Sequence, residues 1–172
     1  MFIKNLKNYF LPIALILLLS FSRLIPHPWN FTPILATGIF SGFYFKQFYL
    51  SLFIVIFAMF IGDLYLGFHS TMFFTYISLA AAVALGFFIK NLKIYEILLT
   101  GLASSICFFV ITNFGAWLTH DMYERSFNGL LQSYIMAIPF FHNTLLSTLV
   151  YLFLLKLLLN FAIKKKILKV SF

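Results

Sequence analysis

The sequence predicts an all-α integral membrane protein, a six-helix bundle with an extra interfacial or re-entrant helix between spans five and six. Three observations predict it. Hydrophobic residues make up 63% of the 172 and charged residues only 9%. A soluble domain carries about 25% charged residues, so this chain could not cover its surface in water. The apolar residues also come in blocks long enough to cross a bilayer, which takes about 20 residues per helix. Finally, the lysines fall between and after those blocks, where topology determinants sit. The net charge of +8 therefore points to membrane orientation rather than to nucleic acid.

Span one runs from about Phe10 to Leu24. Lys4 and Lys7 precede it as in a signal peptide, but no small-x-small cleavage site follows, so it reads as a retained helix. Pro26-His27-Pro28 ends it. Span two covers 33–45, with Thr32 as N-cap and Pro33 at the first helical position, where its missing N–H does no harm. It is short, about 20 Å at the helical rise per residue. Either it crosses a locally thin membrane, or it begins below the surface inside a cavity. Spans three to six cover about 48–66, 72–89, 94–118 and 139–161, all in one transmembrane domain.

One boundary needs an argument. No glycine or proline lies between Phe43 and Ile61, so spans two and three could form a single helix. That helix would be about 45 Å long with Lys46 near its middle, and a hydrocarbon core of about 30 Å disfavours both. Splitting it places Lys4, Lys7, Lys46, Lys90, Lys93, Lys164, Lys165, Lys166 and Lys169 on one side, with Arg23 and Arg125 on the other. The positive-inside rule then puts both termini in the cytoplasm. The stretch 123–137 carries Glu124, Arg125, Asn128, Gln132 and Ser133 among Leu130, Leu131, Ile135 and Met136. It is too polar to span and reads as interfacial or re-entrant.

The polar chemistry gathers at the opposite, outer side. His27, His69, His120 and His142 all fall at outer ends of spans, together with Asp63, Asp121, Asn30, Asn113, Asn143, Trp29, Trp117, Tyr123 and Tyr134. Water contact and an aromatic belt account for part of this. Three residues ask for more. Asp63 stands among apolar neighbours near the end of span three, where an ionisable group needs a cavity or a partner such as Arg23. Asn113 and Trp117 share a helix face, which suits either a wall for a flat polar ligand or an interhelical hydrogen bond. His142 opens span six just after Pro139 and faces a neighbouring helix or a cavity.

The candidate binding set is His27, Trp29, Asn30, Asp63, His69, Asn113, Trp117, Tyr134, His142 and Asn143. No two histidines have a close helical spacing, so no metal site is expected. No His-Glu-x-x-His, Gly-x-Ser-x-Gly or phosphate-cradling loop is present, and neither catalytic residues nor a cofactor are expected. Cys107, mid-span, reads as an inert core residue. Ala80, Ala81, Ala82, Ala84, Gly86, Gly101 and Ser105 allow close packing, within the bundle or against a partner.

Four runs carry a family resemblance: Arg23-Leu-Ile-Pro-His-Pro-Trp-Asn-Phe-Thr-Pro33, Gly62-Asp63 through Gly67-Phe68-His69, Thr112-Asn113-Phe114-Gly115, and Ala137-Ile-Pro-Phe-Phe-His-Asn-Thr144. Through them the chain resembles a DUF6580-type family of small bacterial membrane proteins of unknown function. Those proteins look like the substrate-binding S components of energy-coupling-factor vitamin transporters, the cobalamin-specific ones being nearest. The resemblance implies a six-helix protein of the bacterial inner membrane that holds a vitamin-sized ligand near its outer face. It also implies a transmembrane coupling protein and paired ATPases as partners. The Ala-x-x-x-Ala docking motif typical of the first helix in S components is lacking there, and its nearest equivalent is Ala80-x-x-x-Ala84 on span four.

Overall fold

The computed structural model describes residues 10, 13–14, 16–18 and 20–167, without the Arg23 side chain. The expected Asp63–Arg23 pair and the placing of Lys4, Lys7 and Lys169 lie outside what is described. Residues 10, 13–14, 16–18 and 20–21 are helical and lead into a short 3-10 turn, Ser22–Leu24. Five α-helices follow: α1 (Ile34–Phe45), α2 (Phe48–Leu66), α3 (Met72–Gly86), α4 (Ile94–Thr119) and α5 (Phe127–Lys164). No strand occurs among the described residues. Helices α2, α4 and α5 are long and apolar enough to cross a membrane, whereas α1 and α3 are shorter apolar helices of 12 and 15 residues.

The helices run up and down. This creates two distinct ends: a histidine end, where α1, α3 and α5 begin, and a lysine end, where α2 and α4 begin. The chain turns between α1 and α2 at Lys46-Gln47, with Lys46 in the left-handed region at φ 50. Helices α1 and α2 are thus separate, and the chain breaks where the lysine argument places the break. Helix α1 begins at Ile34 with Pro33 as its cap residue and no side-chain cap, one residue later than Thr32-Pro33 predicts.

Helix α1 is the centre of the bundle. Eleven of its 12 residues are buried, and it packs against α2, α3, α4 and α5. A helix apolar all round belongs in such a position. Toward the lysine end, α1 and α3 meet backbone to backbone. A Cβ on Gly42 would overlap the Val83 carbonyl, and one on Gly86 would overlap the Ile39 carbonyl. Ala82 and Gly86 therefore pack within the bundle, and Gly101 does so against Leu149. Ser41 and Ser51 lock α1 to α2 by reciprocal bonds, each hydroxyl donating to the other's carbonyl at 3.1 and 3.0 Å.

The lysine end is closed by polar pairing. Lys46 Nζ donates to the carbonyls of Phe87 (2.8 Å) and Ile89 (2.7 Å), which the end of α3 leaves without helical donors. Burial holds the Lys46 ammonium below its ordinary value, with Glu96 offsetting part of that effect. Glu96 accepts the backbone N–H groups of Lys90, Asn91 and Lys93, at 3.1, 3.1 and 2.8 Å, and so builds the turn into α4.

The polar stretch before span six is not a separate helix. It belongs to α5, which runs 38 residues, about 57 Å, straight through Pro139. Ser126 starts it as N-cap, its Oγ accepting from Gly129 N at 3.1 Å. Proline deletes one helical bond here, and contacts with α4 on both sides hold the helix together. Tyr134 Oη donates to the Val110 carbonyl at 2.9 Å, and the Phe109 ring meets Tyr134 at 5.6 Å and Phe141 at 5.3 Å.

Candidate functional site

At the histidine end the helices part around a cavity of about 840 Å³, within the range of small-molecule sites. The short α1 is the reason it exists. Its first residues, Ile34 and Leu35, line the cavity from within; the end of the 3-10 turn supplies Leu24, and the irregular segment after it supplies Ile25, Pro26, His27, Trp29, Asn30 and Thr32. Of the two expectations for span two, the structure thus has the helix that begins inside a cavity.

Met59 and Leu66 of α2 complete one wall, with His69 just beyond that helix. Thr71 and Thr75 form another at the start of α3. Helix α4 presents Phe108, Thr112, Asn113 and Ala116, with His120 just past its end, and α5 presents Thr144 and Thr148. A smaller annex of about 60 Å³ opens between α4 and α5. It is lined by Phe109, Phe140, Phe141 and Ala137, and shares Phe108, Asn30, Thr112, Asn113 and Thr144 with the main cavity.

Five of the ten expected site residues meet on this wall: His27, Trp29, Asn30, His69 and Asn113. The other five lie off it, each with another task. Asp63 is fully buried and accepts from Tyr76 Oη at 2.8 Å, joining α2 to α3. Trp117 points away from the cavity and donates Nε1–H to the Glu124 carbonyl at 2.8 Å, tying down the turn before α5. Tyr134 bonds to Val110 as described, and His142 donates Nδ1–H to the Ile138 carbonyl at 3.2 Å on an exposed face. Asn143 sits behind the roof and donates Nδ2–H to the Trp29 carbonyl at 2.9 Å, fastening the 24–32 segment to α5.

The threonines were the residues the sequence reading passed over. Six of the chain's nine line the cavity: Thr32, Thr71, Thr75, Thr112, Thr144 and Thr148. Their signal was spacing, because Thr71/Thr75 and Thr144/Thr148 are each four apart and share a helix face. The histidines near the mouth are paired with hydroxyls: His69 Nδ1 lies 2.9 Å from Thr71 Oγ1, and His120 Nε2 lies 2.9 Å from Ser70 Oγ. Among the described residues no three His, Cys, Asp or Glu side chains converge to hold a metal ion. Cys107 is a free, half-buried thiol on α4.

A family profile described as a family of unknown function, DUF6580, matches residues 3–170. The chain belongs to that family. No curated protein and no solved structure matches it. The family thus carries no activity over to this member, and a functional reading has to come from the cavity. All four runs that carry the resemblance contribute to it, through His27 and Asn30, His69, Thr112 and Asn113, and Thr144.

Proposed function

We propose that this DUF6580 member is a membrane-embedded binding subunit for uptake of a small, vitamin-like molecule. In this reading six helices span the bacterial inner membrane, with both termini cytoplasmic and the histidine end outward. The protein performs no catalysis of its own. A transmembrane coupling protein and ATPases supply the energy, as they do for the S components it resembles. One observation carries the proposal: a ligand-sized cavity at one end, with apolar walls, a few convergent polar groups and a roof of irregular chain. The clustering of Lys46, Lys90 and Lys93 at the opposite end supports the orientation.

Native mass spectrometry of gently solubilised protein tests the reading. The wild type is expected to carry a stoichiometric small molecule, and Ala116→Phe, which fills the cavity, is expected to lose it while keeping its helical content. Trp117→Phe, off the wall, is expected to retain it. An empty wild type, or an adduct equally present in Ala116→Phe, would count against a binding subunit.

A further inference from the structure

Five polar groups of the cavity wall share a bias that composition alone does not show. Thr112 donates its hydroxyl proton to the Phe108 carbonyl (2.7 Å), Thr144 to Phe140 (3.1 Å), Thr148 to Thr144 (2.7 Å) and Thr75 to Thr71 (3.3 Å). Such back-bonding is ordinary for threonine in helices. Its consequence here is that each oxygen turns only lone pairs toward anything else. Asn113 behaves alike. Its Nδ2 donates to the Phe109 carbonyl at 2.7 Å, and since a carbonyl only accepts, the amide nitrogen must lie on that side and Oδ1 on the other.

No lysine, arginine, aspartate or glutamate lines the cavity among the described residues. The annex adds a shape requirement. Four phenylalanines, Phe108, Phe109, Phe140 and Phe141, surround a narrow space whose polar rim includes Thr112, Asn113 and Thr144. Aromatic walls favour a flat ring by stacking or edge contact.

Resting on the binding-subunit reading, we propose that the ligand is a flat heterocycle edged with N–H donors. Its ring lies in the main cavity against the phenylalanines at the mouth of the annex, and its donors meet the Thr112, Thr144 and Asn113 oxygens. The geometry selects against rings whose nitrogens are fully alkylated. Losing a partner for a buried donor costs more than losing apolar contact, so the discrimination rests on those oxygens.

Melamine and hexamethylmelamine share one flat ring, the first edged with N–H groups and the second with none. Titration calorimetry of each against the full-length protein and its Thr112→Val/Thr144→Val variant tests the proposal. Valine keeps the shape of threonine and removes the oxygen. The expected result is that the double variant weakens melamine by about tenfold, roughly one hydrogen bond's worth per site, and leaves hexamethylmelamine within about twofold. If the double variant fails to fold, Thr112→Ser, which restores the oxygen, must bind melamine like the wild type. Equal treatment of both compounds by both proteins overturns the donor-edge inference and leaves a binding subunit standing. Failure of the wild type to bind melamine overturns the inference as well. The binding-subunit reading falls separately, on the absence of a co-purifying molecule.

Discussion

The two ends of this bundle are built from the same helices and do opposite things. At the lysine end α1 and α3 touch through Gly42 and Gly86, and polar groups are consumed in pairs: Lys46 with two carbonyls, Glu96 with three backbone N–H groups. At the histidine end α1 stops short, threonines replace glycines on the facing helices, and the space fills with side-chain oxygens rather than backbone. The difference teaches how a small apolar chain makes a pocket. Close approach at one end lets the helices splay at the other, and a short central helix leaves the void.

Substitutions sharpen that contrast, beginning with the closed end. Gly42→Val places a branched side chain on the Val83 backbone, which has no room to give. We expect a loss of about 3 kcal/mol or more, seen as a large drop in thermal midpoint or in folded yield. Lys46→Met leaves the Phe87 and Ile89 carbonyls without their donor. The partial exposure of this site limits the cost to about 1–2 kcal/mol in detergent unfolding. At the open end the expected effects are on access rather than on stability. Asn143→Leu releases the Trp29 carbonyl and costs about 1 kcal/mol, and faster hydrogen exchange at 27–31 should report a looser roof. Trp117→Phe removes only the bond to Glu124, with under about 1 kcal/mol of effect and no change in ligand retention.

Much of the fold was legible because apolar blocks and turn residues are local. The break at Lys46 followed from the cost of a lysine in lipid, and it is where the chain turns. The continuity of α5 was not legible. Gln132 and Asn128 made the stretch look separate, yet both are exposed, while Ser133 and Gly129 face inward. The stretch therefore continues the helix without a boundary, with small residues inward and both polar and apolar side chains outward. At the site, polar residues at helix mouths were found by position. Rotation about each helix decided which ones faced the cavity, and one sequence does not give that rotation. Asn113 lines the cavity, whereas Trp117, one turn further on the same face, is turned aside to the Glu124 carbonyl. The threonines escaped because each looks like an ordinary helix residue until their convergence is seen.

The asymmetry itself is open to one direct measurement. In a Cys107→Ser background, Thr112→Cys and Asn113→Cys place thiols on the cavity wall, and Ser41→Cys places one in the closed half, where Ser41 is fully buried. In proteoliposomes a small water-soluble thiol reagent should modify positions 112 and 113 readily and leave 41 unreacted. Thiols at 112 and 113 as inert as the one at 41 would contradict an open histidine end, and with it the cavity on which the proposed function rests.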